Sequence, residues 1–211
     1  MTAPAGHLVF IVDDDYRVRE AIFELLASAG LRSVALASAA EYIAYPTPDM
    51  PACLILDVEL PDINGLDLQR QMGDRYHPPI IFLTGHGNIP SSVRAIKAGA
   101  LDFLTKPFDD HELLRLVHAA LAQDRERRVK QADLDRLKQR LRSLTPRERE
   151  VLPLVVSGLL NKQAAAHLGI SEVTLQIHRA SVMRKMKADS LADLVRMAGS
   201  LDIPVLHSRH V

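Results

Sequence analysis

The sequence predicts a doubly wound α/β fold, a five-stranded parallel sheet, followed by a small all-α domain. Three observations predict it. Over the first 123 residues, five short apolar runs alternate with stretches of helical periodicity. From Ser143 onward the periodicity is helical throughout. Charge also changes sign along the chain: residues 1–123 carry 9 Lys/Arg against 16 Asp/Glu, and residues 124–211 carry 17 against 10. The whole chain is formally neutral, so an acidic half is joined to a basic half, a pattern that predicts two domains with different partners. The basic half is the one suited to a nucleic-acid backbone, although a solvated helical face would also be basic.

The elements follow in order. "LVFIV" (8–12) is apolar at every position, as a strand covered on both faces should be. Val18, Ala21, Ile22, Leu25, Leu26 and Ala29 then recur at helical spacing over 16–29, closed by Gly30. "SVALA" (33–37) is a second strand with a short helix at 38–45. "CLIL" (53–56) is a third, with a helix at 65–73. "IIFL" (80–83) is a fourth, with a helix at 90–98 ending at Gly99. "LDFL" (101–104) is a fifth, with a helix at 109–123. Residues 124–142 lack Gly and Pro and form a charged helical connector. Its stripe Leu134, Leu137, Leu141 and Leu144 is under two heptads; packing on a neighbouring domain and a dimer seam stay open.

"LTPREREVL" opens the all-α half with Thr145 as N-cap, Pro146 at the first helical position and Glu148 three residues after the cap. Pro153 should kink that helix. Helices follow at 161–169, 171–187 and 190–199. A short helix, a glycine turn and a longer basic helix is the helix-turn-helix pattern. The boundaries are 1–123, 124–142, 143–205 and a tail at 206–211. No apolar run reaches the roughly 18 residues of a membrane span. The N-terminus lacks a signal-peptide pattern, and the single cysteine, Cys53, excludes an intrachain disulfide. These features predict a cytoplasmic protein with no membrane partner.

Ligands of an open parallel sheet bind outside the carboxyl ends of its strands. Strand one ends in Asp13, Asp14 and Asp15, strand three in Asp57 and strand four in Thr84; strand five is followed by Lys106 and Pro107. Clustered carboxylates favour a hard divalent cation such as Mg²⁺. Metal, ammonium and hydroxyl around one carboxylate is what phosphoryl transfer onto that carboxylate requires, with Asp57 as nucleophile. Any one of these Asp residues taken alone would more often be a turn former or helix cap.

"VDDD", "LILDVELPDINGLDL", "LTGHG" and "DFLTKPF", in that order, make residues 8–123 resemble the CheY-like receiver domain of two-component response regulators. Pro61 and Gly65, four and eight residues past Asp57, match as well. "LTPREREVL", "GLLNKQAAAHLGIS" and "VTLQIHRASVMRKM" make residues 143–199 resemble the LuxR-type DNA-binding domain; the subfamily is the FixJ/NarL one. The resemblance implies that Asp57 accepts a phosphoryl group from a histidine kinase. Asp14 would ligate Mg²⁺ directly, Asp13 through water, and Glu59 through its backbone carbonyl. Lys106 would pair with the phosphoryl oxygens, ahead of a cis bond to Pro107. Thr84 and Phe103 would form the switch. Homodimerisation on phosphorylation would use the face of 90–98 and 101–104. His86 would be an exposed loop residue. Activation of transcription would bring RNA polymerase in as a further partner. Little enzymatic activity is implied beyond phosphoryl acceptance and slow autodephosphorylation.

In the output half, Gln176, Ile177, Arg179 and Ala180 are expected near base edges, and Lys162, Thr174, Arg184, Lys185 and Lys187 on phosphates. His178 is expected to be packed. Two rival readings stand beside this one: a haloacid-dehalogenase-like phosphohydrolase with an aspartyl-phosphate intermediate, and a DNA-binding module that works without phosphorylation. The hydrolase motif places an Asp two residues after the nucleophile, where this chain has Glu59.

Overall fold

The structure, a computed structural model, describes residues 6–46, 48–73, 77–85 and 100–204. The chain divides into two compact units, Met1–Arg128 and Val129–Val211.

In the first unit, strands β1 (Leu8–Val12), β2 (Ser33–Leu36), β3 (Ala52–Asp57), β4 (Ile80–Thr84) and β5 (Asp102–Thr105) form one parallel sheet in the order β2-β1-β3-β4-β5. Helices α1 (Tyr16–Ser28), α2 (Ala39–Ala44) and α3 (Gly65–Met72) lie between the strands in sequence. Side chains of a strand alternate between faces, so each all-apolar run serves two cores. Leu8, Phe10, Val12, Leu54, Leu56, Ile80 and Phe82 join Ala39 of α2 and Leu68 of α3. Val9, Ile11, Cys53, Ile55, Ile81 and Leu83 join Ile22 and Leu26 of α1 and residues of α4 (Asp110–Arg142). The strand order reverses between β1 and β3, which puts a ligand crevice beyond the ends of these two strands. The sequence-predicted helix at 90–98 and His86 lie outside the described residues.

The expected helix at 109–123 and the connector at 124–142 are one helix, α4, of 33 residues. No Gly or Pro interrupts it, and pairs such as Gln131–Asp135 (3.0 Å) and Arg136–Asp133 (3.0 Å) stitch its exposed faces. The first turn of the connector belongs to the first unit, because Asp124 is fully buried. Its Oδ2 accepts from the Ala52 N–H at 2.9 Å and from Arg128 Nε at 2.9 Å, and Arg128 also donates to the Pro48 carbonyl at 2.9 Å. Asp124→Ala takes the acceptor from a buried N–H and a partner from a largely buried guanidinium. It should cost about 3 kcal/mol, read by urea unfolding of the first unit; a loss near zero would show the clamp to be incidental.

The second unit contains α5 (Pro146–Val156), α6 (Asn161–Leu168), α7 (Glu172–Met186) and α8 (Leu191–Ser200) around a core that includes Val151, Leu152, Ala164, Leu175, Val182, Met186 and Leu194. The Thr145–Glu148 capping box is present at the start of α5. The helix continues through Pro153 to Val156. Gly169 closes α6 in the left-handed conformation at φ 64°, a turn that glycine adopts without strain.

Candidate acidic site and nucleic-acid interface

The three consecutive aspartates have three different environments. Asp15 is the N-cap of α1 and accepts from Arg17 N at 2.8 Å, the capping role that a lone Asp most often plays. Asp14 is exposed, and Asp13 is fully buried. Asp57, the last residue of β3, is buried as well. Lys106 Nζ sits between the last two, 2.6 Å from Asp13 Oδ2 and 2.8 Å from Asp57 Oδ2. The backbone N–H groups of Asp15 and Glu59 donate to Asp13 Oδ1 (2.9 Å) and Asp57 Oδ1 (3.1 Å). Loops after β1, β3 and β5 therefore meet at one edge of the sheet. Thr84 is buried at the end of β4, where Lys106 N donates to its carbonyl at 2.7 Å. Phe103 of β5 is half-buried, with its ring centroid 6.4 Å from that of Phe82. The Lys106–Pro107 bond is cis.

Burial pushes the Asp13 carboxyl above its ordinary value; hydrogen bonds from Lys106 and Asp15 only partly offset this, and the Asp57 charge adds to it. Burial acts to lower the Lys106 pKa, but the two carboxylates outweigh it and hold the ammonium above the usual lysine value. Carboxylate oxygens of Asp13, Asp14 and Asp57 lie within 4.8 Å of one another. Three carboxylates facing one ammonium leave the negative charge that a divalent cation would neutralise, and hard oxygen donors suit Mg²⁺. The residues present fit such an ion.

A raised folded-state pKa makes ionised Asp13 a liability. Stability falls as pH rises from the unfolded carboxyl value through the folded one. Asp13→Asn is therefore expected to flatten that loss in metal-free protein. It should also weaken the binding of a divalent cation such as Mg²⁺ to the cluster by roughly 10–100-fold, because it removes one of the three carboxylates. Thermal melts against pH with and without Mg²⁺ check both signs; a variant less stable than wild type at neutral pH without metal would contradict this.

In the second unit, α7 advances about 100° per residue, and Val173, Gln176, Ile177, Ala180 and Arg184 share one exposed arc. Val173 (66% exposed) and Ile177 (65%) stand one turn apart on it. The sequence reading missed Val173, although the same spacing contains it. Lys162 of α6 and Lys187, the left-handed C-cap of α7, are exposed. Thr174 is half-buried, its Oγ1 2.8 Å from the Oγ of the N-cap Ser171. Two residues expected at DNA are engaged elsewhere. Arg179 lies off the arc and donates to Asn161 Oδ1 at 2.9 Å. Lys185 lies on the opposite flank, 2.7 Å from Glu148 Oε2. His178 is half-buried.

Both halves of the chain match known protein families. Residues 9–118 match the response regulator receiver domain model, and residues 142–198 match that of bacterial regulatory proteins of the luxR family. Nodulation protein W of Bradyrhizobium diazoefficiens is 50% identical over 202 residues, covering 95% of this chain and 89% of its own. The transcriptional regulatory protein FixJ of Azorhizobium caulinodans is 43% identical, covering 92% and 93%. Among solved structures, the response regulator StyR superposes with a TM-score of 0.81 at 43% identity, over 92% of this chain and 99% of that one. Full-length FixJ from B. japonicum gives 0.54 at 35% identity, over 94% and 98%. These matches do not support the haloacid-dehalogenase-like alternative: both halves of the chain are accounted for by regulator domains, and Glu59 stands where the hydrolases have their second Asp. Two matched models and relatives of this identity over nearly the whole length place the chain among the response regulators that join a receiver domain to a luxR-type DNA-binding domain.

Proposed function

We propose that this chain is a phosphorylation-activated transcriptional activator in which Asp57 accepts a phosphoryl group from a sensor histidine kinase. The observation that carries the reading is the Lys106 ammonium held between the carboxylates of Asp13 and Asp57 at the strand-order reversal. Asp57 offers the attacking oxygen. Lys106 would neutralise charge on the transferred oxygens, and Thr84 would donate a hydroxyl hydrogen bond. Asp14, Asp57 and the Glu59 backbone carbonyl would hold Mg²⁺, with Asp13 acting through water. Bound there, the ion would offset charge between nucleophile and phosphoryl group. The Thr84–Phe103 pair would register the change, and homodimerisation would use the surface of 90–98 and 101–104.

The receiver would take residues 1–123 with the 124–128 turn fastened to it, and the DNA-binding domain 143–205. Gln176, Ile177 and Ala180 would read base edges, with Lys162, Thr174, Arg184 and Lys187 on phosphates. A promoter as target and RNA polymerase as downstream partner set the protein in the cytoplasm. Among the described residues no helix is long and apolar enough to cross a membrane. The test is incubation with acetyl phosphate and Mg²⁺, followed by intact-chain mass measurement and promoter binding. A single phosphoryl gain with tighter DNA binding is expected. Turnover of a phosphomonoester, or binding indifferent to phosphorylation, would refute the reading.

Glu59 is exposed beside Asp57, and its backbone N–H already engages that carboxylate. Its side chain is proposed to orient water during slow autodephosphorylation. Glu59→Asn, a weaker acceptor, is expected to lengthen the phosphoprotein lifetime severalfold. An unchanged decay of labelled protein would remove Glu59 from that role.

A further inference from the structure

Glu148 does more than cap a helix. It is 4% exposed and carries four hydrogen bonds. Two close the capping box: Thr145 N donates to Oε2 at 2.7 Å, and Glu148 N donates to Thr145 Oγ1 at 3.3 Å. The other two reach α7. Ser181 Oγ donates to Oε1 at 2.7 Å and Lys185 Nζ to Oε2 at 2.7 Å. Ser181 and Lys185 are four residues apart, hence stacked on one flank of α7, beside the exposed arc.

Stability alone is a poor reason for this arrangement. A buried ion pair roughly breaks even against a well-packed apolar pair of the same volume. A lysine at the edge of a DNA-facing helix would ordinarily extend its stem and hold its ammonium in water. Here the ammonium turns inward, and the Lys185 side chain is only 28% exposed, while its neighbour Arg184 and the following Lys187 stay exposed. Burial pushes the Glu148 carboxyl up, but Lys185, Ser181 and the Thr145 N–H outweigh it and bring it down to about 2. The Glu148 carboxylate is thus ionised at any working pH.

Phosphate contacts supply sequence-independent affinity, whereas base contacts discriminate. Resting on the DNA-binding role of this unit, we propose that Glu148 is a specificity-determining positioning residue, which withholds the Lys185 ammonium from DNA phosphates and fixes the roll of the recognition helix against α5. The sequence reading of Lys185 as a phosphate contact gives the opposite expectation, so the two can be separated.

The experiment uses the full chain, with a duplex it selects from a random pool and a scrambled duplex of equal length. Affinity is followed by anisotropy over roughly 50 to 200 mM salt. Arg184→Gln should lower the slope of log K against log salt by about one unit. Lys185→Gln, whose amide can still donate to Glu148, should leave the slope at the wild-type value. Glu148→Gln should steepen it by about one unit, raise affinity for scrambled DNA severalfold and reduce the selected-to-scrambled ratio by roughly tenfold. A slope that falls by one unit in Lys185→Gln overturns the proposal even if Glu148→Gln fails to fold. So does a folded Glu148→Gln with wild-type slope and ratio. Wild-type protein that binds neither duplex would instead overturn the DNA-binding role itself, and this proposal with it.

Discussion

Asp57→Asn should gain no phosphoryl group from acetyl phosphate or from a kinase, while its stability should change by less than about 1 kcal/mol. The two expectations together isolate chemistry from structure. Lys106 Nζ keeps Asp13 Oδ2 at 2.6 Å, and the single asparagine side-chain oxygen can still accept from one of the two donors that Asp57 serves, Lys106 at Oδ2 or the Glu59 N–H at Oδ1. The amide replaces an anionic nucleophile with a neutral one and removes one of three carboxylates from the acidic cluster. Mg²⁺-dependent quenching or calorimetry should therefore show weaker ion binding, and mass measurement of the intact chain should show no adduct. If Asp57→Asn still becomes phosphorylated, the acceptor is elsewhere. If it activates a promoter as well as wild type does, the DNA-binding unit works without the receiver's chemistry.

The sheet and the acidic site were legible in the sequence for the same reason. In a strand covered on both faces every residue is apolar, so the first charged residue after the run marks the strand end, where ligands bind. "LVFIV" followed by Asp13, and "CLIL" followed by Asp57, mark both the strands and the carboxylates gathered at their ends. What the sequence hid depends on partners far along the chain. Asp124 reads as one charge in a solvated connector, yet it is buried against Ala52, 72 residues earlier. Glu148 reads as the end of a capping box, and nothing local indicates its bonds to Ser181 and Lys185. The Arg179 contact is hidden for a different reason. It neighbours Ala180 in sequence, but about 100° per residue turns it away from the arc and toward Asn161. Strict helical geometry sets it off the exposed arc and puts Val173 on it.

Gly65→Ala should be among the most damaging single-methyl additions to this chain. A Cβ at this position would lie 2.4 Å from the Asp57 carbonyl oxygen, 3.2 Å from Val58 Cα and 3.3 Å from the Asp57 carbonyl carbon. All three are backbone atoms, so no side chain can rotate aside. Gly65 N also donates to the Val58 carbonyl at 2.9 Å, and Glu59 forms a bridge with Asn64, so the start of α3 is tied to the end of β3. Relief must come from separating the two, which moves Asp57 relative to Lys106. The expected cost is about 3 kcal/mol, a drop on the order of 10 °C in the receiver midpoint, with slower phosphorylation in the fraction that remains folded. Gly199→Ala in α8 makes the internal control. Its Cβ would meet nothing within 4 Å, so the higher helix propensity of alanine should add roughly 0.5–1 kcal/mol to the second unit. Opposite signs from the same chemical change would show that Gly65 is required by the close approach of α3 to the strand that carries Asp57. A Gly65→Ala protein with wild-type melting and phosphorylation rate would show that the loop after β3 can give way without moving the acceptor.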